Sequence, residues 1–223
     1  MSGPRLWPPS FAGAIFDFDG TIADTADIWR RVDRIFLERR GISYDPAYAR
    51  ALAALGFVQG ALYTIETYGL DESPEDICEE WRTLSRTLYH ATVDLRPGVR
   101  DYLARLRASG IRLALATTNE TATLDGMRHV NLAELFDARV YGDDDRYLKT
   151  APDIYVAAAD RLGIPCERCM VFEDLAVAVG SAQQAGCATC AVRANDESQD
   201  WDTARRLADC AIEDWRDLEP QSS

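Results

Sequence analysis

Histidine is scarce in this chain. Only His90 and His129 occur among 223 residues. Both fall in helical patterns remote in sequence from every cysteine, which disfavours a Cys–His catalytic pair. Positive charge is also in deficit, with 24 Lys and Arg against 37 Asp and Glu and a net charge of −13. That balance argues against nucleic acid and anionic membrane surfaces as partners. It also means that an anionic substrate must be attracted locally, by a metal, a lysine and helix N-termini. No apolar run approaches the roughly 18 residues of a membrane span, and residues 1–9 lack the apolar core of a signal peptide. The expected compartment is the cytoplasm. Four of the six cysteines spell Cys166-x-x-Cys169 and Cys187-x-x-Cys190, a spacing that can mark zinc. Their flanks, Cys169–Phe172 and Ala188–Val192, read instead as buried strands, where a free thiol is an ordinary core residue.

What remains is the composition of a globular protein, 47% hydrophobic and 27% charged. Strand-like runs at Ala12–Phe16, Arg112–Ala116, Ala138–Tyr141, Met170–Phe172 and Thr189–Val192 alternate with helical stretches at Val99–Ala108, Thr121–Val130, Pro152–Leu162 and Val177–Ala185. This alternation predicts an α/β fold, a Rossmann-like parallel sheet with helices on both faces. A late helix over Asp200–Asp209 and an edge strand at Cys210–Ile212 follow, and Glu219–Ser223 reads as a frayed tail.

One region breaks the alternation. Residues 25–93 contain helical patterns and no convincing strand. Ile28, Trp29, Val32, Ile35 and Phe36 follow the 3.6 period, and Arg39-Arg40-Gly41 is a stop signal. Ser73 as N-cap and Pro74 at the first helical position open a further helix. The expected organisation is a core over 1–24 and 94–223, interrupted by an all-helical insert over 25–93.

Four segments carry chemistry. The first, Phe16-Asp17-Phe18-Asp19-Gly20-Thr21, places two carboxylates two residues apart at a strand end. Residues i and i+2 of a strand share a face, and ligands of open α/β sheets bind beyond the carboxyl ends of the strands. Two close carboxylates repel unless a cation or a shared proton relieves them. One can act as nucleophile and the other as proton donor and acceptor. The second segment, Ala116-Thr117-Thr118-Asn119, offers a hydroxyl and backbone amides suited to a phosphate oxygen, although Thr and Asn are also common N-caps. In the third, Lys149 stands just before the helix beginning near Pro152. The fourth, Val171-Phe172-Glu173-Asp174, ends a strand in two acids, which suit a hard cation such as Mg2+. Singly each segment after the first is modest, and their order carries the weight.

In these four segments the chain resembles the haloacid dehalogenase-like hydrolase superfamily, in the helical-cap branch that includes phosphoglycolate phosphatases and β-phosphoglucomutases. The resemblance implies a Mg2+-dependent phosphatase acting on a small phosphorylated metabolite through an aspartyl-phosphate. It implies Asp17 as nucleophile, Asp19 as acid and base, and Thr117 and Lys149 as phosphate holders. Backbone amides near Phe18, Asp19 and Thr118 would complete the cradle. Mg2+ would be bound by Asp17, the Asp19 carbonyl and Asp174, with Glu173 in support. Residues 25–93 would form the cap, hinged near Asp24–Thr25 and Asp94–Arg96, and a monomer is expected. Leu148 and Thr150 stand where the family commonly has Gly and Pro, and Leu175 where Ser is frequent. A sugar-phosphate mutase is the nearest alternative, but Ala54–Gln59 lacks the Arg that such an enzyme uses in its cap. From another class, a noncatalytic phospho-accepting module would use similar groups, although receiver domains place the acidic pair first.

Overall fold

The computed structural model describes residues 4–143, 146–196 and 199–218. The tail expected at Glu219–Ser223 lies outside the described residues. Six strands form one parallel sheet in the order β3-β2-β1-β4-β5-β6. They are β1 (Gly13–Phe16), β2 (Arg112–Ala116), β3 (Ala138–Val140), β4 (Cys169–Glu173), β5 (Ala188–Val192) and β6 (Cys210–Ile212). Every residue of β1 and β4 is buried, as central strands covered on both faces require. Their contact is reinforced by Phe16 and Phe172, whose rings stack with centroids 4.6 Å apart. Trp215 packs on both rings and donates its indole N–H to the Thr21 carbonyl at 3.1 Å. This contact supports the loop after β1 from below.

Four helices follow β1 directly, α1 (Ala26–Glu38), α2 (Pro46–Leu52), α3 (Phe57–Tyr68) and α4 (Pro74–Thr92). The side chains of Ser73 and Asp45 cap α4 and α2, and Pro occupies the first helical position in both. These helices bury their own apolar cluster, which includes Val32, Phe36, Phe57, Ile77 and Trp81. The two chain crossings between helices and sheet lie side by side, because Ala23 bridges Leu95 in antiparallel fashion and Arg96 N–H donates to the Ile22 carbonyl at 2.8 Å. The Arg96 guanidinium then ties the Gly20 carbonyl to that of Arg193, at 2.7 Å each.

The remaining helices flank the sheet: α5 (Val99–Ala108), α6 (Thr121–Leu124), α7 (Leu132–Leu135), α8 (Asp153–Leu162), α9 (Ala176–Gln184) and α10 (Trp201–Leu207). The helix expected over Thr121–Val130 is one turn long. It ends before Gly126, whose φ of +98° belongs to the left-handed region and turns the chain beneath His90. The segment leading into β3 holds the single turn α7. All six cysteines are free. Cys190 of β5 pairs in register with Cys210 of the edge strand, and Cys187 immediately precedes β5. No described helix is long and apolar enough to cross a membrane.

Candidate active site

Asp17 follows β1 directly, and its N–H donates to the Phe172 carbonyl at 3.1 Å, extending the β1–β4 ladder by one residue. The carboxylate is thereby held at the carboxyl end of the central strand, where the strand order reverses. The Lys149 ammonium lies 2.8 Å from Asp17 Oδ1. It also donates to the Ala116 carbonyl at 2.9 Å and to Glu173 Oε1. Lys149 is the only lysine in the sequence, and it is 2% exposed. Burial alone would make it easier to deprotonate, but the charges of Asp17 and Glu173 outweigh burial and hold its proton more firmly.

Glu173 and Asp174 end β4 beside it. Glu173 is fully buried, and Tyr155 O–H donates to its Oε1 at 2.8 Å. Burial raises its proton affinity, against the pull of Lys149. Asp174 is also held well above the usual carboxylate range, first by burial and then by the charges of Asp17 and Glu173. One ammonium therefore faces three buried carboxylates. Oxygens of Asp17, Glu173 and Asp174 lie within 4.8 Å of one another, the only such grouping of His, Cys, Asp or Glu among the described residues. Glu173 Oε2 is buried with no hydrogen-bond partner. All-oxygen donors, excess negative charge and an unsatisfied acceptor together fit a hard divalent cation. Gly20 lets the two loops meet here. Its φ is +75°, and a Cβ on it would lie 2.4 Å from Asp174 Oδ2.

Asp19 is clasped from two sides. Asn119 Nδ2, after β2, donates to Oδ2 at 3.2 Å. From the helices, Tyr89 O–H on α4 and Trp29 Nε1 on α1 donate to Oδ1, the latter at 3.4 Å. Burial raises the Asp19 pKa and the Asp17 charge adds to this, while the bonds from Tyr89, Thr25 and Asn119 oppose it.

Of the expected phosphate holders, Thr117 is fully buried, and its Oγ1 accepts from the Asn119 N–H at 3.1 Å. Thr118 lines the cavity with Asp17, Asp19, Lys149 and Asp174, whereas the Phe18 ring packs in the core against Tyr89. The cavity, about 340 Å3, runs from these groups up between the sheet and α1–α3.

The sequence profile of the haloacid dehalogenase-like hydrolases matches residues 11–186. The chain belongs to this family. It is 30% identical over 173 residues to a phosphorylated carbohydrates phosphatase of Thermotoga maritima, covering 77% of this chain and 80% of that one. It is 33% identical over 178 residues to the fructose-1-phosphate phosphatase YqaB of Escherichia coli, covering 79% and 93%. These relatives are named as phosphatases, and the chain is consistent with a phosphoric monoester hydrolase. Among solved structures, CbbY of Rhodobacter sphaeroides in complex with phosphate is similar at 25% identity and a TM-score of 0.76, covering 93% of this chain and 96% of that one. The β-phosphoglucomutase of Clostridium difficile shares the fold at 19% identity and a TM-score of 0.80, covering 94% and 93%.

In this hydrolase, sequence reasoning missed the setting of Asp19 and Asp174. Asn119 reads as an ordinary cap, and nothing in the local sequence marks Tyr89. Gln199 braces the other carboxylate by donating its Nε2 to the Asp174 and Val192 carbonyls at 2.9 Å each. No local pattern marks it, because its partners lie on other elements.

Proposed function

We propose that this hydrolase is a Mg2+-dependent phosphatase of a small phosphorylated metabolite, working through an aspartyl-phosphate on Asp17. The observation that carries the reading is the Lys149 ammonium 2.8 Å from Asp17, with a second carboxyl, Asp19, two residues on and bound by three donors. Phosphoryl transfer demands positioning and charge neutralisation above all, and these residues supply both. An Asp17 oxygen attacks phosphorus while the bond to the leaving oxygen breaks. Asp19 gives that oxygen its proton, a role suited by a raised pKa. Asp19 then takes a proton from water, which attacks phosphorus and frees Asp17. Lys149 offsets the charge of both anions. Thr117 and the backbone amides of Phe18, Asp19 and Thr118 are assigned to the phosphoryl oxygens. Asp17, the Asp19 carbonyl and Asp174 would hold Mg2+, with Glu173 in support. When bound, the ion supplies positive charge that lets an anionic nucleophile approach an anionic ester.

In this reading residues 25–93 form a cap that closes over the ester and excludes water. The adjacent crossings at Ala23 and Leu95 support a single hinge line. The small sugar phosphates named for the relatives suggest the substrate size. A second reading, transfer between substrates as in a mutase, is favoured by one observation. Ala54–Gln59 has no Arg, but Arg50 of α2 is exposed on the cavity wall. The test is phosphate release from a panel of phosphorylated metabolites with Mg2+ or EDTA, using Asp17→Asn as control. Mg2+-dependent release lost in the variant is expected. A phospho-Asp17 that persists without turnover would sink the phosphatase reading.

A further inference from the structure

The cavity continues beyond the reaction centre along α1. Trp29 and Asp33 lie four residues apart on this helix, one turn, or about 6 Å along its axis. Both line the cavity. Trp29 bonds Asp19, so it marks the level of the leaving oxygen. Asp33 therefore marks a level one turn further into the helical part. It is 5% exposed, yet its carboxyl has no hydrogen bond or ion pair among the described residues. Arg30 and Arg50 line the same cavity, but Arg30 is engaged by Asp27 at 2.5 Å, and neither reaches Asp33. The indole N–H of Trp81, another lining side chain, is also buried with no acceptor. Buried polar groups are nearly always bonded, so an exception asks for a reason. Both groups face a cavity that is continuous with the reaction centre, where a substrate can reach them.

We propose that Asp33 selects the leaving group, by accepting a hydrogen bond from a hydroxyl of a polyol or sugar-like alcohol one helical turn beyond the phosphoryl centre. This rests on the phosphatase reading above and names the substrate class for the same site. The surrounding chemistry favours a neutral hydroxyl. Asp33, Asp24 and Asp200 outnumber Arg30 and Arg50 on the same walls, which disfavours a second anion. An ammonium would need Asp33 fully ionised, which burial opposes. The aromatic side chains of Trp29, Phe57 and Trp81 offer the apolar faces against which the carbon skeleton of a sugar packs.

The test compares kcat/KM for polyol phosphates and straight-chain alkyl phosphates of the same carbon number, with Mg2+, in wild type, Asp33→Leu and Asp33→Asn. A site built to bond a hydroxyl rejects analogues that lack it. Wild type should prefer the polyol ester by about 100-fold or more. Asp33→Leu should lower that ratio at least about tenfold, and Asp33→Asn, which keeps an acceptor oxygen, should lower it less. Thermal melting of both variants checks that they fold. A polyol-to-alkyl ratio unchanged in folded Asp33→Leu overturns the inference, as does wild type treating both esters of each pair alike. Release from no ester by wild type would remove the phosphatase reading and the inference with it. Release from alkyl and polyol esters alike would leave the phosphatase reading standing.

Discussion

Replacing Asp33 with leucine should make this protein more stable, and by more at pH 8 than at pH 4.5. An aspartate in an unfolded chain titrates near 3.8, whereas burial raises Asp33 to about 7 in the folded state. Between these values the folded protein retains a proton that the unfolded chain has released. Stability is therefore lost as pH rises through this window, and the penalty is complete above about pH 7. The gap corresponds to about 4 kcal/mol at pH 8. Leucine removes the ionisable group and presents an apolar side chain to a cavity wall shared with Leu52, Phe57 and Trp81. Allowing for relaxation around the new side chain, the expected gain at pH 8 is about 2–4 kcal/mol, or about 5–10 °C in Tm for a chain of this length. Melting curves for wild type and Asp33→Leu at pH 4.5 and pH 8, in EDTA, measure it. A Tm at pH 8 equal to or below wild type would refute the reasoning. So would a gain of the same size at both pH values, because then ionisation would not be its source.

Three further outcomes are expected. Asp17→Asn should abolish phosphate release, by about 1,000-fold or more, while its melting curve remains cooperative; near-normal turnover would remove the nucleophile. Asp174→Ala should raise the half-saturating Mg2+ concentration at least about tenfold, since only two carboxylates of the trio remain; an unchanged Mg2+ titration would contradict the metal assignment. Tyr89→Phe removes a donor that lowers the Asp19 pKa, so the limb of the pH–rate profile set by Asp19 should move to higher pH. A profile superimposable on wild type would show that Tyr89 does not tune the proton donor.

The parts of the site that sequence exposes are those written in one short segment. Asp17 and Asp19 follow an apolar run that becomes β1, and Glu173-Asp174 closes another that becomes β4. The helical period marks α1 because the helix buries one stripe, with Val32 and Phe36, against its neighbours. What stayed hidden is held together across the chain. Tyr89 and Asn119 reach Asp19 from 70 and 100 residues away, and such pairings leave no periodic trace. The spacing over Thr121–Val130 resembles a longer helix than α6 because apolar residues continue past Gly126, which turns the backbone regardless. Asp33 did carry a local signal. It sits four residues after Trp29 and three before Phe36, on the stripe that should be apolar, and a charge there marks either a paired core group or a group awaiting one.

The two-sided clasp on Asp19 has a consequence for timing. One donor, Asn119, comes from the sheet, while Tyr89 and Trp29 ride on α4 and α1. If those helices swing away as a cap, the donors to Asp19 separate with them, although Asp17 and Lys149 stay together. Under the proposed mechanism the enzyme then behaves as a coincidence detector. A bulky or mismatched ester that props the helices open meets Asp17 without a competent proton donor, and bulk water entering the open site finds no organised base. Fidelity would then be enforced by assembly of the acid rather than by affinity alone.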